Sequence, residues 1–239
     1  MRLVVLPLLL ALTACGAPAT AARSTDASAA PASALTSAPA PMKTESGSEC
    51  APAPSRKLNV RPLRQVAFDY DPFHSPEELA AKAPLVVAGT VKDFVPGPVV
   101  EEGIPGDRTH YVLMPVRVTE RFKGKAAGLV HVKFFQGGLR DGKPIYSVAD
   151  FRRAVPEGTR ILLFAYPDTR EGTVIRNRTA LPARTPIYAA HPQGVLLGSG
   201  LKVIGGTEEI DPDSRWVDPC GLDGIVTRLR AAGYRGTTP

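Results

Sequence analysis

Between Thr109 and Phe122 the chain alternates with a period of two. Val112, Met114, Val116 and Val118 fall on one side, and Tyr111, Leu113, Arg117, Thr119 and Arg121 on the other. Strands put successive side chains on opposite faces, so this stretch predicts a long strand with one buried side. Pro115 lies in the second set and, lacking an N–H, predicts an edge position or a bulge. Lys123-Gly-Lys-Ala-Ala-Gly128 reads as a turn. Val130, Val132 and Phe134 then alternate with His131, Lys133 and Phe135 in a second strand, Leu129 to Phe135.

Other segments extend this β reading. Leu85–Val91 is continuous and β-branched, and Pro96-Gly-Pro98 is expected to end it; a polar loop with Glu101, Glu102, Gly103, Pro105 and Gly106 follows. Arg160–Tyr166 reads as a strand closed by Pro167, and Thr173–Arg178 as a candidate strand. Ile187–Ala190 and Gly194–Leu197 read as short strands before a loop at Gly198-Ser-Gly200, whereas Leu139–Gly158 lacks a regular pattern. Ser75-Pro-Glu-Glu78 is a capping box that opens a short helix ending by Ala83. Near the C-terminus, Asp218 as cap and Pro219 at the first helical position introduce Leu222, Ile225, Val226 and Leu229. Their spacing makes one apolar helical stripe, and Gly233 stands at its end.

The first 49 residues have a different character. Met1-Arg2 precedes a run of 12 apolar or small residues ending at Ala14, too short for a bilayer-spanning helix and laid out like a secretory signal. Leu12-Thr-Ala-Cys-Gly16 resembles the bacterial lipobox, in contrast to an ordinary Ala-x-Ala signal with an incidental cysteine. The resemblance implies a signal peptide over residues 1–14 and a mature chain beginning at Cys15, whose thiol carries lipid. Of the 34 residues from Gly16 to Glu49, 27 are Ala, Ser, Pro, Thr or Gly. So little apolar bulk cannot repay the entropy of ordering, and residues 15–49 read as a tether reaching roughly 30–35 Å.

Residues 50–239 are long enough for one globular domain with its own core, and they carry the whole net charge of +6. With Cys15 assigned to lipid, Cys50 and Cys220 remain, and an exported chain is expected to pair them as a disulfide.

No catalytic motif stands out. His74, His110, His131 and His191 lack paired ligand spacing, so no zinc signature is present. Gly198-Ser-Gly200 does not form Gly-x-Ser-x-Gly, and no phosphate-binding glycine loop occurs. Asp69-Tyr-Asp71 and the acidic run from Glu208 to Asp213 lack the calcium-loop pattern and read as solvated charge. Asn177-Arg-Thr179 is a glycosylation sequon, but the lipobox resemblance implies a bacterial host, where such a sequon usually means nothing.

Ala88-Gly-Thr-Val91, Val116-x-Val-x-x-x-Phe-Lys-Gly124, Gly158-Thr-Arg-Ile-Leu-Leu-Phe164 and Gln193-Gly194 occur in an order similar to the netrin-like or tissue-inhibitor-of-metalloproteinase-like family. The resemblance covers about Glu77 to Leu197, roughly half the chain. It implies a mainly β, OB-like five-stranded barrel with a short N-terminal helix and a C-terminal helix; a β-sandwich is the alternative. The metalloproteinase inhibitors use an N-terminal cysteine pair, but Cys50 stands alone, so their mechanism does not transfer.

Ligands of OB-type barrels commonly meet the second and third strands. There the outward set is Tyr111, Arg117, Arg121, His131, Lys133 and Phe135, cations interleaved with rings that suit anions or stacked rings. The expectation is a non-enzymatic binding protein, lipid-anchored on the extracytoplasmic face of the cell membrane, without cofactor or metal. Expected partners are the membrane, through Cys15, and an anionic envelope polymer or a partner protein; nucleic acid is not expected. The alternative is an inhibitor or accessory subunit of an envelope protease or hydrolase.

Overall fold

The computed structural model describes Cys50 and residues 54–101, 106–168, 174–177, 181–182 and 185–238. The signal peptide, Cys15, the tether, and the ends of the Thr173–Arg178 strand and the sequon lie outside the described residues. After a 3-10 turn at Arg61–Leu63, the elements in chain order are α1 (Pro76–Lys82), β1 (Leu85–Val91), β2 (Val95–Glu101), β3 (Arg108–Lys123), β4 (Leu129–Phe135), β5 (Leu139–Arg140) and β6 (Lys143–Pro144). They continue as α2 (Val148–Ala154), β7 (Arg160–Pro167), β8 (Val174–Asn177), β9 (Ile187–Ser199), β10 (Lys202–Gly205) and α3 (Leu222–Ala231).

β1 pairs with β3, β3 with β4, β4 with β9, β9 with β7, and β7 again with β1. These five strands close an OB-like barrel in which only the β4–β9 pairing is parallel. The hydrophobic alternation dictates what fills it. Val112, Met114, Val116 and Val118 of β3 meet Val130, Val132 and Phe134 of β4 inside, with Leu85, Val87, Ile161, Leu163, Val195 and Leu197. The intervening residues Val86, Leu162, Phe164 and Leu196 face outward, yet pack under α1 and α3 against Leu79, Ile225, Leu229 and Trp216. Burial on both faces explains why β1 and β7 read as continuous apolar runs rather than alternating ones.

Four sequence expectations need correction. Pro96-Gly-Pro98 does not end a strand; it lies within β2, whose ladder with β3 breaks register between Pro96 and Val99. Gly97 permits this, because a Cβ there would stand 2.5 Å from the Tyr111 carbonyl oxygen. Residues 187–199 form one strand, not two short ones, with its β7 register shifting between Leu163 and Ala165. The Leu139–Gly158 excursion contains a hairpin and α2, which opens with a reciprocal capping box between Ser147 and Asp150. Finally, α3 begins at Leu222 behind Gly221 at φ 62°, so Asp218 caps the preceding turn through the Cys220 N–H at 2.9 Å. The helix ends as the glycine predicts: Tyr234 N–H reaches Leu229 O and Gly233 N–H reaches Arg230 O, satisfying its last carbonyls.

The segment from Pro54 to Ser75 runs over the barrel as a strap. Arg56 exchanges hydrogen bonds with Ser199, and Arg64 donates to the carbonyls of Gly205 and Glu208. Gln193 brackets the backbone of Phe73, accepting from its N–H at 2.8 Å and donating to its carbonyl at 3.1 Å. Cys50 and Cys220 are joined by a disulfide, 170 residues apart, with Cα atoms 5.2 Å apart.

Candidate functional site

The β3–β4 ladder places Tyr111 opposite Phe135, Leu113 opposite Lys133, Pro115 opposite His131 and Arg117 opposite Leu129. Tyr111 and Phe135 border a groove of about 330 Å³ with Lys133. The strap supplies its other wall through Leu63, Val66 and Phe68, and β9 closes it with Ala189 and Ala190. Val66 and Phe68 are 42% and 41% exposed, so the rim presents apolar surface to solvent.

Lys133 is not a free surface cation. Its side chain is 5% exposed, its Nζ lies 2.7 Å from Asp168 Oδ1, and the same nitrogen sits 4.6 Å from the Tyr111 ring centroid. A desolvated ammonium needs such partners, and here a carboxylate and a ring face supply them. The groove therefore presents rings and methyl groups above an ion pair whose ammonium is buried and whose carboxylate is partly solvated.

The remaining predicted residues lie elsewhere. His131 is buried and borders a neighbouring cleft of about 400 Å³ with His110, Gln136 and Asn177. Burial holds its imidazole below the usual histidine range. Arg117 is exposed. Arg121 donates to the Ala126 carbonyl at 3.2 Å, and its backbone is bridged to Thr237 of the C-terminal tail. Thus the expected single face divides: Tyr111, Lys133 and Phe135 converge, His131 is set apart, and both arginines stand on the β3 segment beyond the groove. Sequence reasoning missed Val66 and Phe68, whose only signal is two apolar side chains in a segment without periodicity.

A third cleft, about 540 Å³, lies between the strap and the loop after β10, lined by Tyr70, Phe73, Trp216, Glu208 and Asp211 among others. Its polar groups brace the strap. The Tyr70 hydroxyl donates to Glu208, and Trp216 Nε1 donates to the Phe73 carbonyl at 2.9 Å. Burial, then the hydrogen bond to Glu208, raises the Tyr70 phenol. His191 stands among the rings of Tyr70, Phe73 and Tyr166, at 5.1, 5.3 and 6.2 Å between centroids. Its Nδ1 accepts from the Gln193 N–H at 3.2 Å, and burial lowers its pKa to about 4. Among the described residues, no group of three or more His, Cys, Asp or Glu side chains is placed to hold a metal ion.

No protein-family model, curated protein or solved structure matches this chain.

Proposed function

We propose that this chain is a non-enzymatic binding protein of the bacterial cell envelope, anchored by lipid on Cys15 and holding its OB-like barrel outside the membrane. The anchor rests on the lipobox resemblance of Leu12–Gly16. The binding role rests on one observation: the groove walled by Phe68, Tyr111 and Phe135 lies on the strand pair where OB-type barrels commonly take ligands. Its half-exposed apolar rim suits the rings or methyl groups of a partner protein or envelope component.

Two measurements test the two halves separately. The wild-type protein is expected in the membrane fraction, and Cys15→Ala in the soluble fraction; equal membrane association removes the anchor. A photocrosslinking side chain at position 68 is expected to capture one envelope component on intact cells, while the same group at position 217, outside the groove, does not. Equal capture from both positions removes the groove. Capture of a protease or hydrolase from position 68 favours the inhibitor or accessory-subunit reading instead.

A further inference from the structure

The two arginines beyond the groove keep different company from Lys133. From Arg121 to Lys133 the chain carries four cations and no acid. Three of the four are already engaged: Lys133 pairs with Asp168, Lys123 Nζ donates to the carbonyls of Ala80 and Ala81 at the end of α1, and Arg121 donates to the Ala126 carbonyl. Lys125 is exposed in the β3–β4 turn, and Arg117 is exposed opposite Leu129. The C-terminal tail adds exposed Arg235, two residues before the Thr237 that bridges Arg121. Among the described residues, Arg117, Lys125 and Arg235 are in no ion pair. The acid on this stretch of β3, Glu120, gives both carboxylate oxygens to Arg230. Leu129, 43% exposed, and exposed Ala127 stand among these cations.

We propose that this end of the barrel docks on anionic phospholipid headgroups. Arg117, Lys125 and Arg235 meet headgroup phosphates, and Leu129 and Ala127 enter the interfacial layer. Charge complementarity alone would suit any polyanion. The exposed leucine amid the cations favours a lipid surface, because a soluble phosphate polymer leaves that side chain in water whereas an interface buries it. This contact goes beyond the anchored-binding reading, since it belongs to the folded domain and needs neither lipid on Cys15 nor the groove.

The test uses the mature chain, residues 15–239, carrying Cys15→Ser, mixed with vesicles of phosphatidylcholine alone or with phosphatidylglycerol added. The protein is expected to sediment with the phosphatidylglycerol vesicles only, and less so as salt rises. Combined Arg117→Gln, Lys125→Gln and Arg235→Gln should lower the partition coefficient about 100-fold, roughly fivefold per cation. Leu129→Ser should lower it further at unchanged charge. All four positions are exposed, and matching melting temperatures verify that the variants fold. No sedimentation with anionic vesicles, equal sedimentation with neutral ones, or an unaffected triple variant would overturn the proposal. So would binding of soluble polyglycerol phosphate, or salt-sensitive self-association, that the triple variant abolishes while vesicles stay unbound. Groove crosslinking from position 68 is unaffected by any of these results, so the two readings fail separately.

Discussion

Lys133 shows how a side chain on the outward register can be held as firmly as one in the core. Its ammonium is fixed by Asp168 and the Tyr111 ring in a nearly dry setting. Lys133→Ala is expected to cost about 1.5–3 kcal/mol, because it removes a charge-assisted bond to the partly solvated Asp168 carboxylate. Lys133→Met with Asp168→Leu should recover most of that loss in urea denaturation. If both variants unfold at the wild-type midpoint, the pair carries no such weight. His191 makes a second prediction at this scale. Its folded-state pKa, about 4, lies below the ordinary value of 6.5. The unfolded chain therefore binds the additional proton first, and stability falls as pH drops from about 6.5 towards 4. His191→Phe should flatten that part of the profile, read from urea midpoints at pH 7 and 4.5; an unchanged slope would assign it to other groups. His131, lowered in the same direction by burial, leaves a residual slope.

At the element scale, α2 stands on local capping rather than on a long apolar stripe. Ser147 accepts from the Asp150 N–H while Asp150 accepts from the Ser147 N–H, and Phe151 and Ala154 are the helix's buried residues. Ser147→Ala should cost about 1 kcal/mol and lower the melting temperature by several degrees; no shift would show that packing alone holds the helix. Ser147-x-x-Asp150 was present in the sequence, but two buried positions are too few to announce a helix by periodicity. The same limit explains β9, where Pro192 and Gly194 interrupt a strand that the sheet nonetheless carries through. The barrel strands were legible because Val112 to Val118 and Val130 to Phe134 repeat their pattern several times. The candidate site was legible only in part. Alternation separates inside from outside, but it cannot distinguish an outward residue in water from one under the strap, as Arg117 and Lys133 demonstrate. Gly97 and Gly194 were likewise silent until their neighbours were known: a Cβ at either would stand 2.5 Å from a carbonyl oxygen.

For the whole molecule, the barrel closes on itself; Leu129 stays exposed, but much of its other outward apolar surface is covered by α1, α3 and the strap. The last of these is pinned by chemistry remote from it in sequence. On the chain-entropy account, a covalent loop of 170 residues contributes about 5 kcal/mol by restricting the unfolded chain. Cys50→Ser with Cys220→Ser should therefore lower thermal stability markedly, and reductant should do the same to the wild type. A melting curve indifferent to reductant would remove the bond from the account. Arg228–Glu77 and Arg160–Asp223 add ion pairs that link α3 to α1 and to β7, each partly solvated and correspondingly weak.

The position of that disulfide also determines how the molecule bears a load. A pull applied anywhere before Cys50 reaches the sulfur bridge first and divides there, one branch passing directly into Cys220 and the start of α3. The strap lies downstream of this junction, so tension does not peel it from the barrel one hydrogen bond at a time. The groove wall formed by Val66 and Phe68 thus stays seated while the chain ahead of it is under strain. Cutting the bridge would convert the same pull into an unzipping force that begins at Pro54 and runs towards the groove.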